Sequence, residues 1–123
     1  MLLMKNEAFP AATVKEIKIA KEYLKQYKDR KKKLELFEQN PPANDMQKHV
    51  QQSLLRFTSL IERAVEQIAD ENIRAVVTFR YIQGHTRAAT ILKFSGWNYC
   101  DKTIDRKLDE GVVSVANTLL YLE

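Results

Sequence analysis

Apolar residues recur at steps of three and four along most of the chain. That is the period of an amphipathic helix, not the alternation of a strand. The first stripe is Val14, Ile17, Ala20, Leu24, Tyr27, Leu34 and Phe37, with Lys31 interrupting it. Thr13 followed by Glu16 reads as a capping box, in which each side chain satisfies a free backbone N–H of the other residue. The first helix is therefore predicted to start there. Asn40-Pro41-Pro42 ends it, because proline cannot donate a hydrogen bond and disfavours helical geometry in the residue before it. A second stripe follows: Met46, Val50, Leu54, Phe57, Ile61, Ala64 and Ile68, preceded by a second candidate capping box, Asn44 with Gln47. Two such helices joined by a short Pro-Pro turn predict a helical hairpin or one arm of a coiled coil, and the spacing leaves both open.

Three further helices complete the pattern. Asp70 is placed to cap a third, with Ile73, Val76, Val77 and Tyr81 or Ile82 inward and Gly84 at its end. Thr86 is placed to cap a fourth, which carries Ala88, Ala89, Ile91, Leu92 and Phe94 and stops at Gly96. A fifth begins at Asn98 or Asp101, with Ile104, Leu108, Val112, Val115 and Leu119 as its stripe. The 123 residues hold only 3 Gly and 3 Pro, too few for a sheet, which needs turn signals every ~8–12 residues. The expected fold is all-α. Residues 1–12 are expected to form a flexible arm, residues 13–69 a hairpin for dimerisation or partner binding, and residues 70–123 a three-helix helix-turn-helix domain.

Charge and chemistry narrow the function by exclusion. The formal net charge of +4 suits nucleic acid or an anionic surface without requiring either. The single cysteine, Cys100, allows no intrachain disulfide. The start of the chain lacks the apolar run of a signal peptide, and no stretch approaches the ~18 apolar residues of a membrane span. A cytoplasmic protein without membrane contact is the expectation. His49 and His85 have no partners at metal-ligand spacing, so no metal site and no cofactor are expected. No nucleophile elbow or phosphate-cradling glycine loop is present, and Asp109-Glu110 are adjacent rather than facing. An enzyme is not expected.

The informative segment ends one helix with Arg80-Tyr81-Ile82-Gln83-Gly84, continues through a short helix and a glycine turn, and starts a longer helix with Asp101-Lys102-Thr103-Ile104-Asp105-Arg106. A helix-turn-helix requires this order. Its first helix packs across the second, for which small residues such as Ala88 and Ala89 suit the contact. Its second helix presents basic and polar side chains near the N-terminus, where free N–H groups face phosphate and side chains reach base edges. Lys102 and Arg106, four apart, share one face.

On these residues, about 70–120, the chain resembles the region-4-like helix-turn-helix domains of sigma factors. Small phage-type transcription regulators of the ArpU late-regulator kind carry such domains behind charged helices. The resemblance implies a sequence-specific regulator that binds double-stranded DNA. The residues it nominates for DNA contact are Arg87, Asn98, Asp101, Lys102, Thr103, Asp105, Arg106 and Lys107. Arg106 is the leading candidate for guanine, Lys102 for phosphate or base, and Arg87 and Lys107 for phosphate. The hairpin would then make a homo-oligomer or touch RNA polymerase. Two features depart from the family pattern. The segment from Gly96 to Thr103 is longer than the usual turn, and Gly111 sits inside the last helix, where glycine costs about 1 kcal/mol against alanine.

Three other features have plain alternatives. Arg30-Lys31-Lys32-Lys33 extends a first helix already holding Lys15, Lys18, Lys21, Lys25 and Lys28. A solvated face, partly neutralised by Glu16, Glu22, Asp29 and Glu35, is the preferred reading, and phosphate contact is the other. Trp97 is expected to buttress the turn, with base stacking as its alternative. For the whole chain, the rival to a regulator is a helical oligomeric assembly protein or a DNA-packaging recognition subunit.

Overall fold

The structure, a computed structural model, describes residues 10–123. Most of the expected arm lies outside the described residues. Its last part is anchored: the Ala12 N–H donates to Asn117 Oδ1 at 2.8 Å, on the final helix. The fold is all-α, with no strand among the described residues. The helices are α1 (Val14–Gln39), α2 (Asp45–Glu66), α3 (Glu71–Val77), α4 (Arg87–Phe94) and α5 (Asp101–Leu122). A π-helical turn, Thr78–Ile82, continues α3, and a 3-10 turn, Ser95–Trp97, follows α4.

Four caps fall where the sequence puts them, although the box at Asn44 is half made, the Gln47 side chain accepting from the Ala43 N–H instead, and α5 starts behind Cys100, whose side chain makes no cap bond. Thr13 and Glu16 form the reciprocal box at α1. Asn44 accepts from the Gln47 N–H, Asp70 from the N–H groups of Asn72 and Ile73, and Thr86 from the Ala89 N–H. Each side chain satisfies donors that a helix start otherwise leaves open. Gly84 takes the left-handed conformation with φ +78°, and the stem of Lys28 lies against it.

One buried cluster draws on α1, α2, α3 with its π-turn, α4 and α5. It runs across the expected division at residue 69, where Ile68 is itself buried. The central element is α5. Its stripe of Ile104, Leu108, Val112, Val115 and Leu119 is buried, together with Gly111 and Ala116. Gly111 is the point of closest approach. A Cβ built there would overlap Val77 Cγ2 and sit 3.2 Å from Ile73 Cγ2. The glycine that looks costly for a helix is what lets α3 cross α5.

Three local expectations are corrected. Ala88 does not sit at the packed face of α4. That face is Thr90 and Phe94, four apart, and the Thr90 hydroxyl is satisfied by the Thr86 carbonyl at 2.8 Å. Leu92 is 77% exposed. The turn after α4 does not close on Gly96: Asn98 takes the left-handed conformation, with φ 64°. Asn98 is well suited to this, since a short polar side chain tolerates that region. Lys31, which interrupts the first stripe, pairs with Glu62 of α2 at 3.1 Å, and the Tyr27 hydroxyl also donates to Glu62. Burial, and then Glu62, push the Tyr27 phenol above its ordinary range.

The stripes do not all become core. Toward the link between α1 and α2, Leu36, Met46, Val50 and Leu55 are exposed, Met46 at 70%. Leu34, Phe37 and Leu54 are half-buried.

Candidate nucleic-acid interface

The leading end of α5 stands clear of the core. Cys100 is its N-cap, and Asp101, Lys102 and Arg106 are exposed while Ile104 beneath them is fully buried. Burial of Ile104 and Leu108 fixes the rotation of the helix, so the residues between them point outward. Lys102 forms no ion pair within 4.0 Å among the described residues. Arg106 approaches Glu110 at 3.8 Å, one turn on, and its side chain stays 65% exposed. That exposed, long contact is worth little and leaves the guanidinium available.

Arg87 and Asp105, 18 residues apart, are drawn to each other. Arg87 Nε donates to Asp105 Oδ1 at 2.9 Å and Nη2 to Oδ2 at 2.7 Å. The fork geometry ties the first turn of α4 to the first turns of α5. Hydrogen bonding to Arg87 holds the Asp105 carboxyl below its ordinary range. Both side chains remain about half exposed. Two of the nominated contact residues are thus partners in a clamp that sets how α4 meets α5.

The turn between the two helices is built from rings. His85 stacks on Phe79 at 3.9 Å, Phe79 meets Phe94 edge-on, Phe94 meets Trp97 at 4.8 Å, and Trp97 meets Tyr99 at 6.0 Å. Lys107 Nζ lies 4.9 Å from the Tyr99 ring centre. Trp97 therefore braces the turn while keeping 45% of its surface exposed. Lys107, nominated for phosphate, is half-buried over an aromatic face. Asn98 is exposed and serves the turn through its backbone, its N–H donating to the Ser95 carbonyl at 3.1 Å. Thr103 is half-buried, with its hydroxyl 3.2 Å from Cys100 Sγ.

Sequence reasoning brought Asp101, Lys102 and Arg106 to one exposed end but missed the Arg87–Asp105 pairing. An i,i+4 rule finds local pairs, and nothing local signals a pair across 18 residues. It also missed Arg80, whose Nη1 donates to the His85 carbonyl at 2.7 Å and steadies the approach to α4. Two residues of the conspicuous basic run, Arg30 and Lys31, are tied to α2, while Lys32 and Lys33 stay on the solvated face. Arg30 lies over the Phe57 ring at 4.3 Å, Lys31 pairs with Glu62, and Lys33 pairs with Asp29 at 3.0 Å.

Among the described residues no helix is long and apolar enough to cross a membrane, and no three metal-ligating side chains gather. Comparison with known proteins finds no matching family model, no matching curated protein and no matching solved structure. The class these observations define is an all-helical protein with one shared core, and its function is argued from its own residues.

Proposed function

We propose that the chain is a sequence-specific, double-stranded-DNA-binding transcription regulator of phage or prophage type. Helices α3 to α5 act as a sigma region-4-like helix-turn-helix, with the leading end of α5 in the major groove. One observation carries this reading: Lys102 and Arg106 share an exposed face at the N-terminus of a helix whose orientation is fixed by buried Ile104 and Leu108. Such an end offers free N–H groups to phosphate and long cationic side chains to base edges. Arg106 suits a guanine edge and Lys102 a phosphate or base. The six residues from Ser95 to Cys100 make a longer turn than the usual helix-turn-helix, and the aromatic chain from Phe94 to Tyr99 keeps it rigid.

The exposed apolar residues near the α1–α2 link support a homo-oligomer, with RNA polymerase as another partner for the same surface. A dimer would set two α5 ends about 34–36 Å apart on one face of DNA. Light scattering is expected to show a dimer at working concentration, and a strict monomer removes this part of the reading. The same exposed face favours a second reading, a helical assembly or DNA-packaging recognition subunit. The deciding test is fluorescence anisotropy with random duplex across a salt series, followed by selection for a preferred sequence. Salt-sensitive binding with an enriched motif supports the regulator. Binding without any preferred sequence favours the second reading.

A further inference from the structure

The lysines of α1 are spaced more tellingly than the basic run that follows them. Lys18, Lys21, Lys25, Lys28 and Lys32 recur at steps of three and four, and all five are exposed. Four of them immediately follow the inward positions Ile17, Ala20, Leu24 and Tyr27, so the ladder runs along one flank of the buried stripe. From Lys18 to Lys32 it covers roughly 21 Å of helix.

That flank adjoins the start of α4. The Lys28 stem lies against Gly84, two residues before the Thr86 cap. Lys21 lies near enough to Asp105 to help hold its carboxyl ionised. Lys21 and Lys25 line one open groove of about 440 Å³ with Arg80, Tyr81, Arg87, Asp105, Leu108 and Asp109. Four cations there face two carboxylates; Arg87 and Asp105 are taken up with each other, which leaves Lys21, Lys25 and Arg80 against Asp109. Glu22 approaches Lys25 at 3.6 Å, with both side chains largely in solvent. Arg87, the first residue of α4, lines this groove, and the Thr86 cap takes up the Ala89 N–H of that first turn. In a helix-turn-helix this first helix crosses the phosphate backbone.

We infer that the α1 lysine ladder, with Arg80, Arg87 and the start of α4, forms a second contact on the same duplex. It grips the phosphate backbone without reading sequence. This rests on the DNA-binding reading above and assigns the two contacts different work: α5 selects the site, and α1 supplies much of the salt-dependent affinity.

The test compares three proteins by anisotropy on a fluorescent random duplex and on the selected site. They are the wild type, the triple variant Lys21→Gln, Lys25→Gln, Lys28→Gln, and a control losing three cations from exposed positions on α2 (Lys48→Gln, Arg56→Gln, Arg63→Gln). Circular dichroism checks that all three are folded. Each lost phosphate contact removes about 0.9 from the slope of log affinity against log salt, so the α1 triple is expected to lose about 2–3. Between about 50 and 200 mM salt that makes its loss of affinity smaller than the wild type's by up to ~40-fold. The weakening should be equal on both duplexes, and the α2 control should keep the wild-type slope. A wild type that binds, beside an α1 triple with an unchanged slope, overturns the ladder and leaves the DNA reading standing. An α2 control that moves the slope as far as the α1 triple also overturns it, because general charge then accounts for the effect. A wild type that binds no duplex at low salt overturns both.

Discussion

The two ends of α5 carry opposite duties. From Ile104 to Leu119 one face is enclosed by α1, α2 and α3, and at Gly111 a neighbouring helix comes too close for even a methyl group. At the other end Asp101, Lys102 and Arg106 stand in solvent, and the tie to α4 is the half-exposed fork between Asp105 and Arg87. The buried end aims the helix, and the exposed end is what it aims. If that division holds, substitutions at one end change stability and spare binding, and substitutions at the other do the reverse.

The largest effect is expected at Gly111. Gly111→Val forces its side chain into Val77 and Ile73, at the upper end of overpacking penalties, about 3 kcal/mol. Gly111→Ala recovers up to about 1 kcal/mol of helix propensity and loses less. Urea melts measure both. Adding Val77→Ala to Gly111→Ala should return part of the loss, because the two sites share one contact. If Gly111→Ala raises stability, the close crossing of α3 on α5 is wrong.

At the exposed end, Arg106→Ala should leave the melting temperature unchanged and weaken binding to the selected duplex by about 1–3 kcal/mol, relaxing preference at one base position. Lys102→Ala should weaken all duplexes about equally. A fall in melting temperature for either variant would mean that the leading end is part of the packing after all.

The clamp between the ends predicts a pH dependence. Asp105 has a folded pKa below its unfolded value of about 3.9, held down first by hydrogen bonding to Arg87. Its stabilising contribution is present above about pH 3.9 and is lost as pH falls through the lower folded value. Asp105→Asn should therefore be less stable than the wild type near neutral pH and converge with it in strong acid. The difference is small and shrinks with added salt, because the pair is exposed. Urea melts at the two pH values check the sign.

How much was legible follows the range of the interaction involved. The caps at Thr13, Asn44, Asp70 and Thr86 and the left-handed Gly84 are local, and residue type alone marks them. The α5 stripe is legible because burial there is continuous. The α1–α2 stripes are less so: the same spacing runs through Met46 and Val50, which stay exposed, and periodicity reports amphipathicity rather than a partner. The role of Gly111, the π-helical turn at Thr78–Ile82 and the Arg87–Asp105 fork depend on which helices cross. A single sequence does not carry that information.

The gentlest probe of the comparison is Cys100, which sits at the boundary of the exposed end. Its thiol is held below the ordinary range, chiefly by the hydrogen bond with the Thr103 hydroxyl and then by backbone N–H groups at the start of α5. The thiolate is the reactive form, so alkylation by iodoacetamide should have a pH midpoint below the usual thiol value of about 8.5. Thr103→Val should raise that midpoint without unfolding the protein. Because Cys100 is exposed next to Asp101 and Lys102, a duplex seated on the leading end should slow the reaction. Protection by the selected duplex, and loss of that protection in Arg106→Ala, would fix the contact to this end of α5. Equal labelling with and without bound duplex would put the DNA elsewhere on the surface, with the α1 flank then the first place to look.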